Sequence, residues 1–176
     1  GLRAILRHDP DVVMIGEIRD LETARAATAA ALTGHLVFST LHTNDAASAP
    51  MRLIDMGVEP YLVSSTLIGS MAQRLVRKIC PKCKVEYQPD RATLPRDFEL
   101  PSDAVLWRGD GCPRCRQTGF RGRCGLFELM PMSDAIAEKV MARAPSLEIV
   151  AAARRAGLRL LREDGWLKVR QGITTP

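Results

Sequence analysis

Asp11-Val12-Val13-Met14-Ile15-Gly16-Glu17 contains an uninterrupted apolar run, and the turn-forming sequence His8-Asp9-Pro10 precedes it. Four apolar residues before a glycine, three of them Val or Ile, predict a short strand buried on both faces, as in a parallel sheet covered by helices. In open α/β sheets, ligands lie beyond the carboxyl ends of the strands, which is where Glu17 falls. The run therefore predicts an α/β fold with an acidic residue at its ligand-binding edge.

The acidic residue after this strand has two interpretations. Glu17 fits a Walker-B-type element, whose carboxylate accepts a hydrogen bond from an attacking water or binds the Mg²⁺ of a nucleoside triphosphate. The alternative is structural, because Glu17 can pair with Arg19 or cap the helix that begins near Asp20. The strand alone leaves both open.

A second strand follows after one helix. Residues 21–33 are rich in alanine and end at Gly34, which predicts a helix with a C-terminal stop. The apolar run at 36–41 then leads into His42. A right-handed βαβ crossover brings both carboxyl ends to one side. The predicted constellation consists of Glu17 and Arg19 from the first strand, with Thr40, His42 and Thr43 from the second. The histidine can sense a γ-phosphate or orient water, or it can be a satisfied structural residue.

The rest of the chain is predicted to be mainly helical. Asp45–Met56 forms a helix with Asn44 or Asp45 as its N-cap, and Pro60 starts a longer amphipathic helix that runs to about Lys78. Towards the C-terminus we expect a strand at Leu126–Met130. A bundle of three helices is expected at Ser133–Arg143, Ser146–Ala156 and Arg162–Gln171.

Two C-x-x-C knuckles are the strongest purely chemical signal. The first knuckle is Cys80-Pro81-Lys82-Cys83 and the second is Cys112-Pro113-Arg114-Cys115, with 28 residues between them. Four thiolates suit a tetrahedral Zn²⁺ with no open position, hence a structural site. A redox pair or an iron–sulfur site is the alternative. The intervening segment is polar and bears prolines, so the metal is expected to hold it together. The fifth cysteine, Cys124, is expected to be a buried small residue.

Composition bounds the function classes. Five of the 25 Lys and Arg residues are lysines, so 20 are arginines, which suits subunit interfaces and phosphate contacts, although genomic base composition also explains it. A net charge of +5 with 5% aromatic residues argues against a nucleic-acid-binding zinc ribbon. No apolar run approaches the 18 or more residues of a membrane span. An amphipathic pattern at 1–7 suggests that the chain is a piece of a longer protein.

With these motifs in hand, the whole chain resembles the secretion ATPases of the type II secretion and type IV pilus assembly superfamily. Residues 9–24 look like that family's Walker B box, and residues 33–44 look like its histidine box. Residues 73–76 before the first knuckle, and Gly122-Arg123 before Glu128-Leu129, are similar to its zinc-bearing branch. The cysteines favour the type II secretion or pilus extension enzymes over the retraction type. Residues 162–174 look more like the secretion enzyme.

The resemblance implies residue roles. Glu17 becomes the catalytic carboxylate and His42 the histidine near the γ-phosphate. Arginines at or near the nucleotide and the subunit interface are Arg3, Arg7, Arg19 and Arg52, and the zinc ligands are Cys80, Cys83, Cys112 and Cys115. The implied cofactors are ATP, Mg²⁺ and Zn²⁺.

The resemblance also implies an architecture and partners. It predicts the C-terminal part of a RecA-like core at 1–79, a tetracysteine zinc subdomain at 80–116, and a strand with a small helical bundle at 117–176. Full-length members of the family form hexamers that act on an inner-membrane platform from the cytoplasmic side. The resemblance thus implies membrane association through partner proteins and no nucleic-acid partner.

One departure limits the expectation. No G-x-x-x-x-G-K-[ST] loop occurs in these 176 residues. Because phosphoryl transfer depends on positioning by that loop, we predict that this chain alone neither binds ATP tightly nor hydrolyses it. The alternatives are a type IV pilus extension ATPase and a non-enzymatic zinc module that docks on a membrane partner.

Overall fold

The computed structural model describes residue 8 and residues 10–101 and 104–176. The chain forms two compact units: the first contains the described residues up to Ala72 with 129–158, and the second contains 73–128 and 159–176. The boundaries of these units differ from those of the predicted segments 1–79, 80–116 and 117–176. Those segments were assigned by function, and that assignment stays a prediction. The amphipathic segment at 1–7, with Arg3 and Arg7, lies outside the described residues.

The first unit begins with the predicted βαβ crossover. Strand β1 (Val12–Ile15) pairs in parallel with β2 (Leu36–Ser39), and helix α1 (Leu21–Leu32) connects them. The carboxylate of Asp20 caps α1 by accepting a hydrogen bond from Thr23 N at 2.8 Å. Because the two strands are parallel and adjacent, their carboxyl ends lie at one edge, as the sequence predicted.

The expectation that β1 is buried on both faces is wrong for the described part of the chain. Val13 is buried, but Val12 and Met14 on the opposite face are 55% and 65% exposed. Their neighbours on β2, Leu36 and Phe38, are exposed as well. Among the described residues this sheet consists of β1 and β2 alone, and no described element covers the face that carries Val12 and Met14. An apolar run therefore indicated the strand correctly but not its covering.

Four further helices complete the first unit. They are α2 (Ser48–Asp55), α3 (Pro60–Thr66), α4 (Asp134–Met141) and α5 (Ser146–Arg155). Helix α3 contacts α1, α2 and α4, and α4 contacts α5. Side chains with almost no exposed surface form the core: Val63, Ile136, Val140 and Ile149. Helices α4 and α5 thus confirm the helical segments predicted near 133–156. No described helix is both long and apolar enough to cross a bilayer.

The long helix predicted from Pro60 to about Lys78 is wrong. Helix α3 ends at Thr66, and residues Gly69–Ile79 form strand β3, which pairs with β6 (Phe120–Pro131). The apolar residues 67, 68, 71 and 75 follow a helical spacing, but Met71 and Leu75 are exposed. A glycine suits the start of β3, since a Cβ at Gly69 would lie 3.2 Å from the carbonyl oxygen of Met130. Strand pairing with a distant partner overrides the local pattern.

The second unit contains a hairpin and one helix. Strands β4 (Lys84–Tyr87) and β5 (Leu106–Gly109) pair antiparallel, and helix α6 (Leu161–Arg170) contacts β5. Single 3₁₀ turns lie at Arg91–Thr93 and Pro113–Cys115. A small core consists of Phe98, Leu106 and Val169, with Tyr87, Leu94, Leu100 and Trp166 packed against it. The segment between the knuckles therefore does not depend on a metal alone, because α6 supplies part of an apolar core.

Two buried carboxylates join β6 to α6. Glu128 accepts a hydrogen bond from Leu161 N at 3.0 Å, and Asp164 accepts one from Phe127 N at 3.0 Å. Asp164 is only 7% exposed and also pairs with Lys168 and Arg159. Burial raises the pKa of Asp164, but the hydrogen bonds from Lys168 and Phe127 and the charges of Lys168 and Arg159 outweigh it and hold that pKa below its ordinary value.

Asp164→Asn should destabilise the second unit by about 2 kcal/mol at pH 7, since it removes a charged acceptor from a buried network. A depressed carboxyl pKa gives stability that is present above the unfolded value of about 3.9 and lost as pH falls through the folded value. The difference from the unsubstituted chain should therefore shrink below about pH 4. Urea unfolding followed by tryptophan fluorescence measures this, because Trp107 and Trp166 both belong to the second unit.

The matched control is Asp110→Asn. Asp110 forms an exposed pair with Arg108 at 3.0 Å, so its loss should change stability by less than about 0.5 kcal/mol. Equal effects of the two substitutions at pH 7 would contradict the role given to Asp164.

Candidate functional site

The ends of β1 and β2 bring together the two residues that the sequence singled out. Glu17 follows β1 and His42 follows β2, and Nε2 of His42 lies 3.2 Å from Oε2 of Glu17. The register pairs Ile15 with Ser39, so the segments that follow β1 and β2 leave the sheet side by side. The predicted proximity of Glu17 and His42 is confirmed.

Arg19 shares the same carboxylate oxygen. Its Nε lies 2.6 Å from Oε2 of Glu17. The hydrogen bond from Arg19, with a smaller contribution from His42, holds the pKa of Glu17 below its ordinary value against the effect of burial. Glu17 is therefore an ionised acceptor at neutral pH. The structural alternative of a Glu17–Arg19 pair is present in the fold, whereas the cap of α1 is Asp20 and not Glu17.

Thr40 fixes the backbone on both sides of Glu17. Its hydroxyl donates to the carbonyl oxygen of Gly16 at 2.7 Å, and its carbonyl oxygen accepts from Ile18 N at 2.9 Å. Sequence reasoning placed Thr40 at this edge but did not find its contacts. The sequence feature that could have indicated these contacts is a threonine at the end of the second strand, next to the end of the first.

The sequence also singled out Arg52 and Thr43. Arg52 is an exposed residue in the last turn of α2, and it forms no ion pair with any described residue. Thr43 donates its backbone N–H to Leu41 O at 3.2 Å. His35, the residue before β2, contacts Thr33 Oγ1 and Ala30 O through Nδ1 at 3.0 Å each.

The four knuckle cysteines form one cluster. Their sulfurs all lie within 4.8 Å of one another, and close pairs are Cys80–Cys112 at 3.9 Å, Cys83–Cys115 at 3.8 Å and Cys112–Cys115 at 3.7 Å. Sulfurs about 2.3 Å from a tetrahedral zinc stand about 3.8 Å apart. All of them are free thiols. The donor set and its spacing therefore fit Zn²⁺. Cys124 lies outside the cluster, as predicted, but it is half-buried and not buried as expected.

Backbone donors make the sulfurs unequal. Cys115 Sγ accepts hydrogen bonds from Cys112 N at 3.2 Å and Gly119 N at 3.3 Å. Burial raises the pKa of Cys115, but these donors and its thiol neighbours bring it to about 6. Burial raises the pKa of Cys83 to about 12, only partly opposed by Gly111 N–H. Metal binding must therefore displace at least one proton at neutral pH.

A family model described as type II/IV secretion system protein matches residues 1–176. The chain belongs to this family. The family assignment confirms the resemblance that residues 9–44 and the two knuckles indicated.

Similar curated proteins of this family include enzymes of both branches. The type IV pilus assembly ATPase PilB of Thermus thermophilus is 54% identical over 99% of this chain and 20% of its own length. The type II secretion system ATPase E of Vibrio cholerae is 52% identical over 99% of this chain and 35% of its own length. The chain thus spans a fifth to about a third of these relatives, and identity alone does not separate the branches.

Solved structures agree with the α/β fold of the family. The pilus retraction motor PilT with bound ADP matches 99% of this chain and 40% of its own, with a TM-score of 0.66 and 29% identity. The ATPase DotB of Legionella pneumophila matches 99% of this chain and 39% of its own, with a TM-score of 0.65 and 25% identity. The predicted fold class is therefore confirmed.

Proposed function

We propose that the chain is the C-terminal part of a hexameric ATPase that couples ATP hydrolysis to protein export by driving pseudopilus assembly in type II secretion. The observation that carries this proposal is the contact of Glu17 with His42 at the carboxyl edge of parallel strands. In this fold class that edge is where ligands bind. About 50% identity to secretion and pilus ATPases supports the reaction type.

The proposal gives each residue a distinct task. Glu17, held ionised, accepts a hydrogen bond from the attacking water or binds Mg²⁺ beside the triphosphate. His42 contacts the same oxygen of that carboxylate and is 80% exposed, so it can reach a γ-phosphate. Arg19 is also exposed and contacts Glu17 through Nε. We propose that Arg19, with Arg3, Arg7 and Arg52, lies near the nucleotide and the neighbouring subunit.

We propose a structural zinc ion at Cys80, Cys83, Cys112 and Cys115. The spacing of the sulfurs supports zinc, and four thiolates leave no position for a substrate. The ion would fix the two knuckles against each other in the second unit.

The proposed partners follow from family membership. The full-length protein would assemble as a homo-hexamer and act on inner-membrane platform proteins from the cytoplasmic side, without nucleic acid. The PilT structure holds ADP, which supports a nucleotide as the ligand of this fold.

The experiment that tests the proposal compares this chain with the longer protein. A phosphate-release assay on the isolated chain should show no turnover above background, because the 176 residues contain no phosphate-binding G-x-x-x-x-G-K-[ST] loop. The same assay on the longer protein should show steady turnover. Turnover by the isolated chain, or its absence from the longer protein under conditions where it hexamerises, would contradict the proposal.

A second candidate is the pilus extension ATPase, because the chain is about as similar to PilB of Thermus thermophilus, at 54% identity, as to the secretion enzyme, at 52%. Complementation separates the two: the gene should restore protein export in a strain that lacks its type II secretion ATPase. Restoration of pili alone would favour the extension enzyme. Restoration of neither, together with binding of the isolated chain to a membrane partner, would favour a non-enzymatic zinc module.

A further inference from the structure

We propose that the main chain of Gly119 is a bridge that holds the two cysteine knuckles together and thereby sets the metal affinity of the four-cysteine site. This inference rests on the proposed zinc site. Gly119 lies four residues beyond the second knuckle and is itself buried. Neither knuckle motif includes it.

The bridge consists of two hydrogen bonds from one residue. The N–H of Gly119 donates to Cys115 Sγ at 3.3 Å, and its carbonyl oxygen accepts from Cys80 N at 2.9 Å. Cys115 belongs to the second knuckle and Cys80 to the first. Both cysteines are buried, so solvent does not replace these contacts at low cost. Gly119 thus connects the knuckles independently of any metal.

Only glycine fits this position. The φ angle of Gly119 is +74°, a left-handed conformation that residues with a Cβ rarely adopt. A Cβ would also lie 2.4 Å from the carbonyl oxygen of Gly109, the last residue of β5. That neighbour is backbone in a paired strand, so it cannot rotate away as a side chain would. A side chain at 119 must displace either Gly119 or Gly109.

Displacement in either direction reaches the sulfurs. If Gly119 moves, Cys115 Sγ loses a donor and Cys80 N loses its acceptor. If Gly109 moves, the next residue is affected, and Asp110 N donates to Cys83 O at 3.0 Å. Three of the four knuckle cysteines are therefore held by contacts that converge on the Gly109–Gly119 approach. Hydrogen bonds to metal ligands orient them, and their loss typically costs 10–100-fold in affinity.

The test compares Gly119→Ala with Gly122→Ala in the isolated chain. Gly122 is the matched control, because its φ of +78° carries the same backbone strain, but a Cβ there meets nothing within 4 Å. Zn²⁺ affinity is measured by competition with a chromophoric chelator, and Co²⁺ binding by its thiolate charge-transfer absorption. Gly119→Ala should lower the affinity by about 10–100-fold and alter the Co²⁺ spectrum. Gly122→Ala should stay within about threefold of the unsubstituted chain.

A second measurement needs no substitution and holds if Gly119→Ala fails to fold. In the unsubstituted chain loaded with ¹¹³Cd²⁺, the Gly119 amide proton should show scalar coupling to cadmium through Cys115 Sγ. Absence of this coupling, equal affinity loss in both variants, or unchanged affinity in Gly119→Ala would each overturn the bridge. Failure of the unsubstituted chain to bind Zn²⁺, Co²⁺ or Cd²⁺ would instead overturn the proposed zinc site and the bridge with it.

Discussion

Glu17→Gln in the longer protein should lower ATP turnover by about 10²–10⁴-fold, the range expected when a positioned carboxylate is lost from a proton-transfer or water-orienting role. Glutamine keeps the shape of the side chain and can still contact His42 and Arg19, so nucleotide affinity should change little. Turnover is measured by phosphate release and affinity by a fluorescent nucleotide analogue. A fall in turnover without a fall in affinity distinguishes lost chemistry from lost binding.

The control for this substitution is Glu22→Gln. Glu22 is an exposed acidic residue in the first turn of α1, five positions after Glu17. Glu22 carries the same charge as Glu17, so Glu22→Gln changes the net charge of the protein by the same amount as Glu17→Gln. Its turnover should stay near that of the unsubstituted enzyme. Unchanged turnover in Glu17→Gln, or an equal loss in both variants, would rule out the catalytic assignment.

The pH dependence of ATP turnover also bears on the role of Glu17. Because the hydrogen bond from Arg19 and the smaller contribution from His42 hold the pKa of Glu17 below the usual value of 4.5, Glu17 remains ionised throughout the neutral range. A loss of turnover between pH 7 and pH 5 therefore reports another group.

The Glu17–His42 edge was predictable because each step depends on local pattern and on one rule of handedness. An apolar run ending in Glu17 indicates a strand, the alanine-rich segment indicates the connecting helix, and the right-handed crossover then places His42 beside Glu17. The cysteine cluster was predictable for a similar reason, since the C-x-x-C spacing is set by the tetrahedral ion and not by the fold.

Features that depend on distant partners were not predictable. The sequence of β3 predicts a helix because its apolar residues are spaced by three and four. Its true partner, β6, lies some 50 residues further along the chain. The core at Phe98 and Leu106 includes Val169 of α6, which a local count of apolar residues between the knuckles cannot include. The backbone bridge at Gly119 depends on the approach of Gly109, and sequence spacing contains no sign of it.

The second large effect is expected at the metal centre. Cys83→Ser should lower Zn²⁺ affinity of the isolated chain by about 10²–10³-fold, since the 10–16 kcal/mol of a structural zinc site is shared among four ligands. Cys83 is the sulfur whose pKa is raised to about 12, so the loss should be smaller at low pH, where this thiol is harder to deprotonate in the unsubstituted chain. Affinity is measured by chelator competition at pH 6 and pH 8, with Cys124→Ser as the control outside the cluster.

The structural consequence of losing the metal should stay within the second unit. Amide hydrogen exchange in Cys83→Ser should accelerate in the two knuckles, at 80–83 and 112–115, and at Gly119, where the sulfurs and the Gly119 main chain hold the chain. Exchange at Leu106 and Val169 should accelerate less, because their apolar core does not include a ligand. Exchange in β1, α1 and β2 should not change, since these elements belong to the first unit. Acceleration across β1 and β2 would show that the metal supports the Glu17–His42 edge itself, and the zinc site would then be integral to the fold of the first unit and not a separate support.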